Sequence, residues 1–272
     1  MNRASLATGW VRNPIMKSRN LDPTQANSYE LGWTWNPITG CLGPYGNGLR
    51  CPYCYAHKLA NGRLRERYLN NVYGLLLSRS HISNAEFRKH AEDPFYPRFW
   101  DNRILDPMTK KEPHGIFACD MSDLFGEGIP EGWTREVLHV IEACPQHRFY
   151  LLTKQPQNLP KWSPFPSNCW VGATATDTAQ VIRTSTWLEQ VNAPVKYLSL
   201  EPLQSRVRKI DIRQSKIDWL IIGAQTKPYK PPEIEWVREI VKAATEVGIP
   251  VFCKNNLARV GLPYLRQEMP DK

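Results

Sequence analysis

No run of eighteen apolar residues occurs in this chain, so no membrane-spanning helix is expected. The opening segment, Met1 to Trp10, has no apolar core of the signal-peptide kind. A glycine-rich dinucleotide turn is missing, which weighs against a doubly wound nucleotide-binding sheet. Internal repeats and low-complexity segments are missing as well, which sets aside a repeat array. The seven cysteines are odd in number and follow no export signal, so reduced thiols and a cytoplasmic location are expected.

What remains is a chain of 272 residues, enough for one large α/β barrel or two smaller domains. A hydrophobic content of 42% supports a sizeable core, while ten Trp and 23 Pro point to long ordered loops around it. Charge is uneven. Residues 1–111 hold 16 Lys and Arg against 8 Asp and Glu, which accounts for +8 of the total of +9. Lys58, Arg63, Arg65 and Arg67 belong to this basic third. It could be a solvated helix face on a basic protein or a surface for phosphate-bearing partners such as nucleic acid.

Short apolar runs alternate with amphipathic segments through most of the chain. Strands are expected near Thr34–Thr39 and at Gly115–Cys119, Arg148–Thr153, Cys169–Ala173, Val195–Leu200, Asp218–Gly223 and Pro250–Cys253. Helices are expected at Ala56–Asn70, with Leu59, Leu64 and Tyr68 inward, and at Val72–His90, with Leu75, Leu76, Ile82 and Phe87 inward. Further helices are expected at Thr134–Ala143, Thr178–Gln190 and Pro232–Val247. The stretch Asp93–Pro113 reads as loop, and 201–217 as little more than a turn. Strands apolar on both faces that alternate with helices predict a parallel sheet, hence an α/β fold with a partial or full (β/α) barrel as a single domain. Residues 1–30 would form an N-terminal extension, 31–257 the barrel and 258–272 a C-terminal tail.

In a barrel the strand ends carry the chemistry. Here they finish in Cys41, then Asp120, Ser122 and Asp123, then Thr153 and Lys154, then Thr174, Glu201, Gln225, and finally Lys254 and Asn255. The densest group is Cys41, Cys51 and Cys54, spaced nine and two residues apart just after the first strand. Thiolates gathered by one loop bind a soft metal or an iron–sulfur cluster. With His57 they could also close a structural Cys₃His zinc site in a nucleic-acid-binding protein without catalysis. Ser122 and Asp123 could instead cap a short helix. Tyr150 and Tyr197 read as core.

The segments Trp35–Cys41, Cys51–Ala56, Asp120–Gly126, Gln146–Lys154, Leu198–Leu203 and Asp218–Gly223 stand in an order that resembles the radical-SAM-like three-Cys-motif family of phage and prokaryotic proteins. Two departures stand out: nine residues separate the first two cysteines, and Gly223-Ala-Gln-Thr-Lys227 replaces the family's usual Gly-Gly-Glu-Ser-Gly. The resemblance implies a [4Fe–4S] cluster on Cys41, Cys51 and Cys54, whose open iron would chelate S-adenosylmethionine. Reduction would then yield a 5′-deoxyadenosyl radical that abstracts hydrogen from a substrate, and an electron donor of flavodoxin or ferredoxin type would be needed. On this reading Tyr53 would lie near the adenine. Asp120, Ser122 and Glu201 would hold the ammonium or ribose hydroxyls, Lys154 a carboxylate, and Thr174 would be a further cofactor contact; Cys253 reads as a buried small apolar side chain or, facing the cavity, as a hydrogen-atom donor. A nucleic acid or nucleotide is the expected substrate, met by a lesion-reversing lyase or a base-modifying enzyme, and an unidentified protein partner is also anticipated.

Overall fold

The computed structural model describes residues 1–4, 9–13, 31–44, 49–71, 83–262 and 265–271. Eight strands form the main sheet: β1 (Asn2–Arg3), β2 (Trp33–Trp35), β3 (Gly115–Ala118), β4 (Arg148–Thr153), β5 (Cys169–Thr174), β6 (Val195–Leu200), β7 (Trp219–Ile222) and β8 (Val251–Cys253). They lie side by side in chain order. Only β1 runs antiparallel to its neighbour; every other pair is parallel.

Alternation along each strand sorts side chains onto two faces. Ile116, Phe149, Leu151, Val171, Leu198, Leu220 and Val251 pack with Val137, Ile141, Val181 and Ile240 from the helices Glu131–Glu142, Thr178–Glu189 and Ile234–Glu246. The opposite face carries Phe117, Tyr150, Trp170, Tyr197, Trp219 and Phe252, gathered around Trp10. The Trp10 ring centroid lies 4.9 Å from Phe117 and 5.7 Å from Tyr150. Gly172 is what lets Tyr197 lie flat across β5, because a Cβ there would meet the ring at 2.3 Å. Helices on one face only, with strands in chain order, is the winding of a β/α barrel rather than of a doubly wound sheet. No pairing among the described residues closes β8 onto β1, so the sheet stays open. At that seam Arg12 donates to Gln267 at 2.8 Å and lies 4.9 Å from the Phe252 ring.

Several local expectations change. The helix expected over Ala56–Asn70 is two short ones, Tyr55–Asn61 and Arg65–Leu69, broken at Gly62. Of the expected Val72–His90 helix, residues 72–82, with Leu75, Leu76 and Ile82, lie outside the described residues. The helix that is described runs Asn84–Glu92 from a capping box at Ser83 and Glu86, and Phe87 on it is exposed rather than inward. The stretch taken as loop holds the strand Arg98–Phe99, paired with Ile38–Thr39, and the short helix Asp101–Ile104.

Candidate active site

The aromatic layer fills the interior, leaving the carboxyl ends of the strands as the place where polar groups collect. The cysteine loop is tied there from both sides. Cys41 N–H donates to Phe95 O at 3.0 Å and Gly40 N–H to Met121 O at 2.9 Å. The Ser122 hydroxyl donates to Gly40 O at 2.6 Å, so it braces the loop rather than standing free for a ligand. Gln155 adds a bond to Gly43 O at 3.3 Å.

The three thiols interact. Burial pushes the Cys41 thiol up to about 12, assisted by Asp123 and by the charges of Cys54 and Cys51, and opposed by the Gly43 N–H that reaches its sulfur at 3.2 Å. Burial also raises Cys51, while the Lys154 ammonium and a hydrogen bond with Tyr53 work the other way. Tyr53 is thus a partner of a cysteine sulfur. Cys54 caps the helix Tyr55–Asn61, its sulfur accepting the His57 N–H at 3.3 Å. Among the described residues no three His, Cys, Asp or Glu side chains stand close enough to share one ion. The His57 ring packs edge-on to Phe95 at 5.4 Å.

Asp120 follows Cys119, whose φ of 60° places a non-glycine residue in the left-handed region. That turn is anchored by Cys119 N–H to Trp35 O at 2.7 Å. Asn36 donates to the Asp120 carboxylate, and the Tyr55 hydroxyl donates to Asp120 O at 2.6 Å and to Oδ2 at 3.3 Å. Burial raises the Asp120 carboxyl above its ordinary value, against the pull of these two donors. Tyr55 is 40% exposed as a residue, yet the enclosure of its hydroxyl end, then the nearby Asp120, Cys54 and Glu201, hold that hydroxyl well above its ordinary range, so it remains a donor. Asp123 is buried beneath, accepting from Thr153 at 2.6 Å and from Lys154 N–H at 2.9 Å.

Glu201 does not stand alone: Lys254, with 4% of its side chain exposed, donates to its carboxylate. Thr174 ends β5 opposite Ser199, whose buried hydroxyl has no partner among the described residues. Cys253 needs correction as a cavity-facing hydrogen donor. It packs with Leu220, Ile222 and Val251 under the helices, while its strand neighbour Phe252 takes the interior face. Burial raises its thiol to about 11.

The structure therefore packs Cys41 and Cys54 against one cluster, joins Tyr55 to Asp120, and ties Lys154 to Asp123 and Lys254 to Glu201 at the carboxyl ends of the strands. It adds Asn36 and Tyr55, for which no role was expected, and gives Lys254, expected only as a strand-end residue, a partner in Glu201. Their signals were faint: Asn36 ends a strand, Tyr55 follows the last cysteine, and Lys254 is a charge directly after an apolar run.

Fold and site together define an α/β protein with a mostly parallel sheet and a thiol-rich mouth. The chain belongs to the family described as "Protein of unknown function (DUF5131)", whose model matches residues 29–259. No curated protein matches. Among solved structures it is similar to "Spore photoproduct lyase complexed with dinucleoside spore photoproduct", at 10% identity and a TM-score of 0.51, covering 88% of this chain and 80% of that one. No described helix is long and apolar enough to cross a membrane.

Proposed function

We propose that this protein is a radical S-adenosylmethionine enzyme acting on a nucleic acid or nucleotide, with a [4Fe–4S] cluster on Cys41, Cys51 and Cys54. The observation that carries this reading is one braced loop in which Cys41 and Cys54 pack against the same cluster and accept main-chain N–H groups, next to Tyr55 and its partner Asp120. The donor set fits such a cluster. A cubane places each thiolate on its own iron, so the sulfurs need not crowd around one ion as in zinc sites. Main-chain N–H groups on the Cys41 and Cys54 sulfurs, and Tyr53 on Cys51, are contacts of the kind that tune cluster potential. When bound, the group would supply one electron to split a carbon–sulfur bond of the sulfonium.

The chain's own residues would do the rest. Asp120 and Glu201 offer carboxylate acceptors to an ammonium or to ribose hydroxyls, with Asn36, Tyr55 and Lys254 fixing their direction. Lys154 offers a counter-charge to a carboxylate. The aromatic layer beneath keeps water from entering from below. A lyase with a dinucleoside photoproduct on a similar fold supports the substrate class.

The test is anaerobic purification, iron and sulfide analysis, and chromatography for 5′-deoxyadenosine after adding S-adenosylmethionine and dithionite. Iron with sulfide and reductant-dependent 5′-deoxyadenosine are expected. A protein that takes up no iron, or that leaves the sulfonium intact, refutes the reading.

A further inference from the structure

The connection after β7 builds a feature of its own. Gln225–Thr226 and Tyr229–Lys230 pair as a small antiparallel hairpin on the rim of the mouth. Its tip presents Lys227, Tyr229 and Lys230, all exposed. The Tyr229 ring is not loose: its hydroxyl donates to Asn256 O at 3.0 Å, and the Arg259 guanidinium lies 5.4 Å from the ring centroid. The Lys58 ammonium donates to Lys227 O at 2.8 Å, joining the hairpin to the helix that starts at Cys54. Lys58 stands one helical turn after Cys54. None of these four cations forms an ion pair with a carboxylate among the described residues, although Glu233 shares a groove with Lys230.

We infer that this hairpin is a docking platform for single-stranded nucleic acid, with Tyr229 stacking a base while Lys58, Lys227, Lys230 and Arg259 follow the phosphates into the mouth. A fixed aromatic ring among unpaired cations is the arrangement that holds single strands, because every base has a face to stack and every phosphate a charge to neutralise. An acidic peptide would meet the charges but would make little use of the ring. The inference rests on the nucleic-acid half of the proposed function and not on its cluster chemistry.

The test is fluorescence anisotropy of a labelled oligothymidylate titrated with the full chain, without reductant or S-adenosylmethionine, so a failure of radical chemistry leaves the readout intact. Tyr229→Ala should weaken binding about tenfold and Tyr229→Phe should restore it. Lys227→Ala with Lys230→Ala should lower the salt slope by about 1.4. Lys242→Ala, on the exposed face of the helix Ile234–Glu246, should bind like the unsubstituted chain. The inference is overturned if the unsubstituted chain does not bind, if the hairpin variants bind as tightly as it does, if Lys242→Ala weakens binding equally, or if polyglutamate competes as well as unlabelled oligonucleotide.

Discussion

Lys254 reaches from the end of β8 to the carboxylate of Glu201 at the end of β6, passing over Gly223 just beyond β7, the strand between them. A Cβ at 223 would lie 2.9 Å from Lys254 Cδ and 3.2 Å from Glu201 Cγ. The pair therefore depends on the glycine beneath it.

Removing one member should be more harmful than its hydrogen bond alone suggests. Glu201→Ala leaves the buried ammonium without its counter-charge and should lower stability by about 3 kcal/mol in a urea titration. Lys254→Met keeps the aliphatic stem in place and should cost less, because Glu201 is the more exposed partner. A double variant whose loss equals the sum of the two single losses would mean that the pair is not electrostatically coupled.

Cysteine substitutions should separate the loop from the remaining thiols. Cys41→Ser, Cys51→Ser or Cys54→Ser should each abolish bound iron, measured colorimetrically after anaerobic reconstitution. Cys253→Ser and His57→Ala should keep it, since neither side chain is placed with the three sulfurs.

Gly172→Ala should destabilise the fold by about 1–3 kcal/mol, seen as a lower thermal midpoint, because its methyl would enter the Tyr197 ring. Gly172→Ala with Tyr197→Leu should recover part of the loss.

Acid should weaken the protein through His90. Burial, then Arg98, pushes its imidazole from 6.5 down to about 4. Between these values the unfolded chain binds more protons, so this contribution is complete above about pH 6.5 and lost as pH falls through about 4. Denaturant midpoints across that window should fall, and fall less in His90→Gln.

Much of the sheet was legible because each strand is an apolar run bounded by turns: β4 and β6 match their expected limits residue for residue. Trp10 was not legible as core, because a tryptophan far from any strand gives no sign that it will reach Tyr150 and Trp219. The face taken by Cys253 was open between two readings for a related reason, and the structure takes the buried one. Proximity to a strand end does not reveal which face a residue takes, and one step of alternation separates it from Lys254. The short elements between Asp93 and Pro113 escaped because their support is tertiary, as when Trp100 Nε1 donates to Thr39 at 2.8 Å.

The packed rings of Trp10, Tyr150, Trp170, Tyr197 and Trp219 form one layer over a face of the open sheet. Truncating any one of them would leave a void against its neighbours and loosen the strands that the layer bridges.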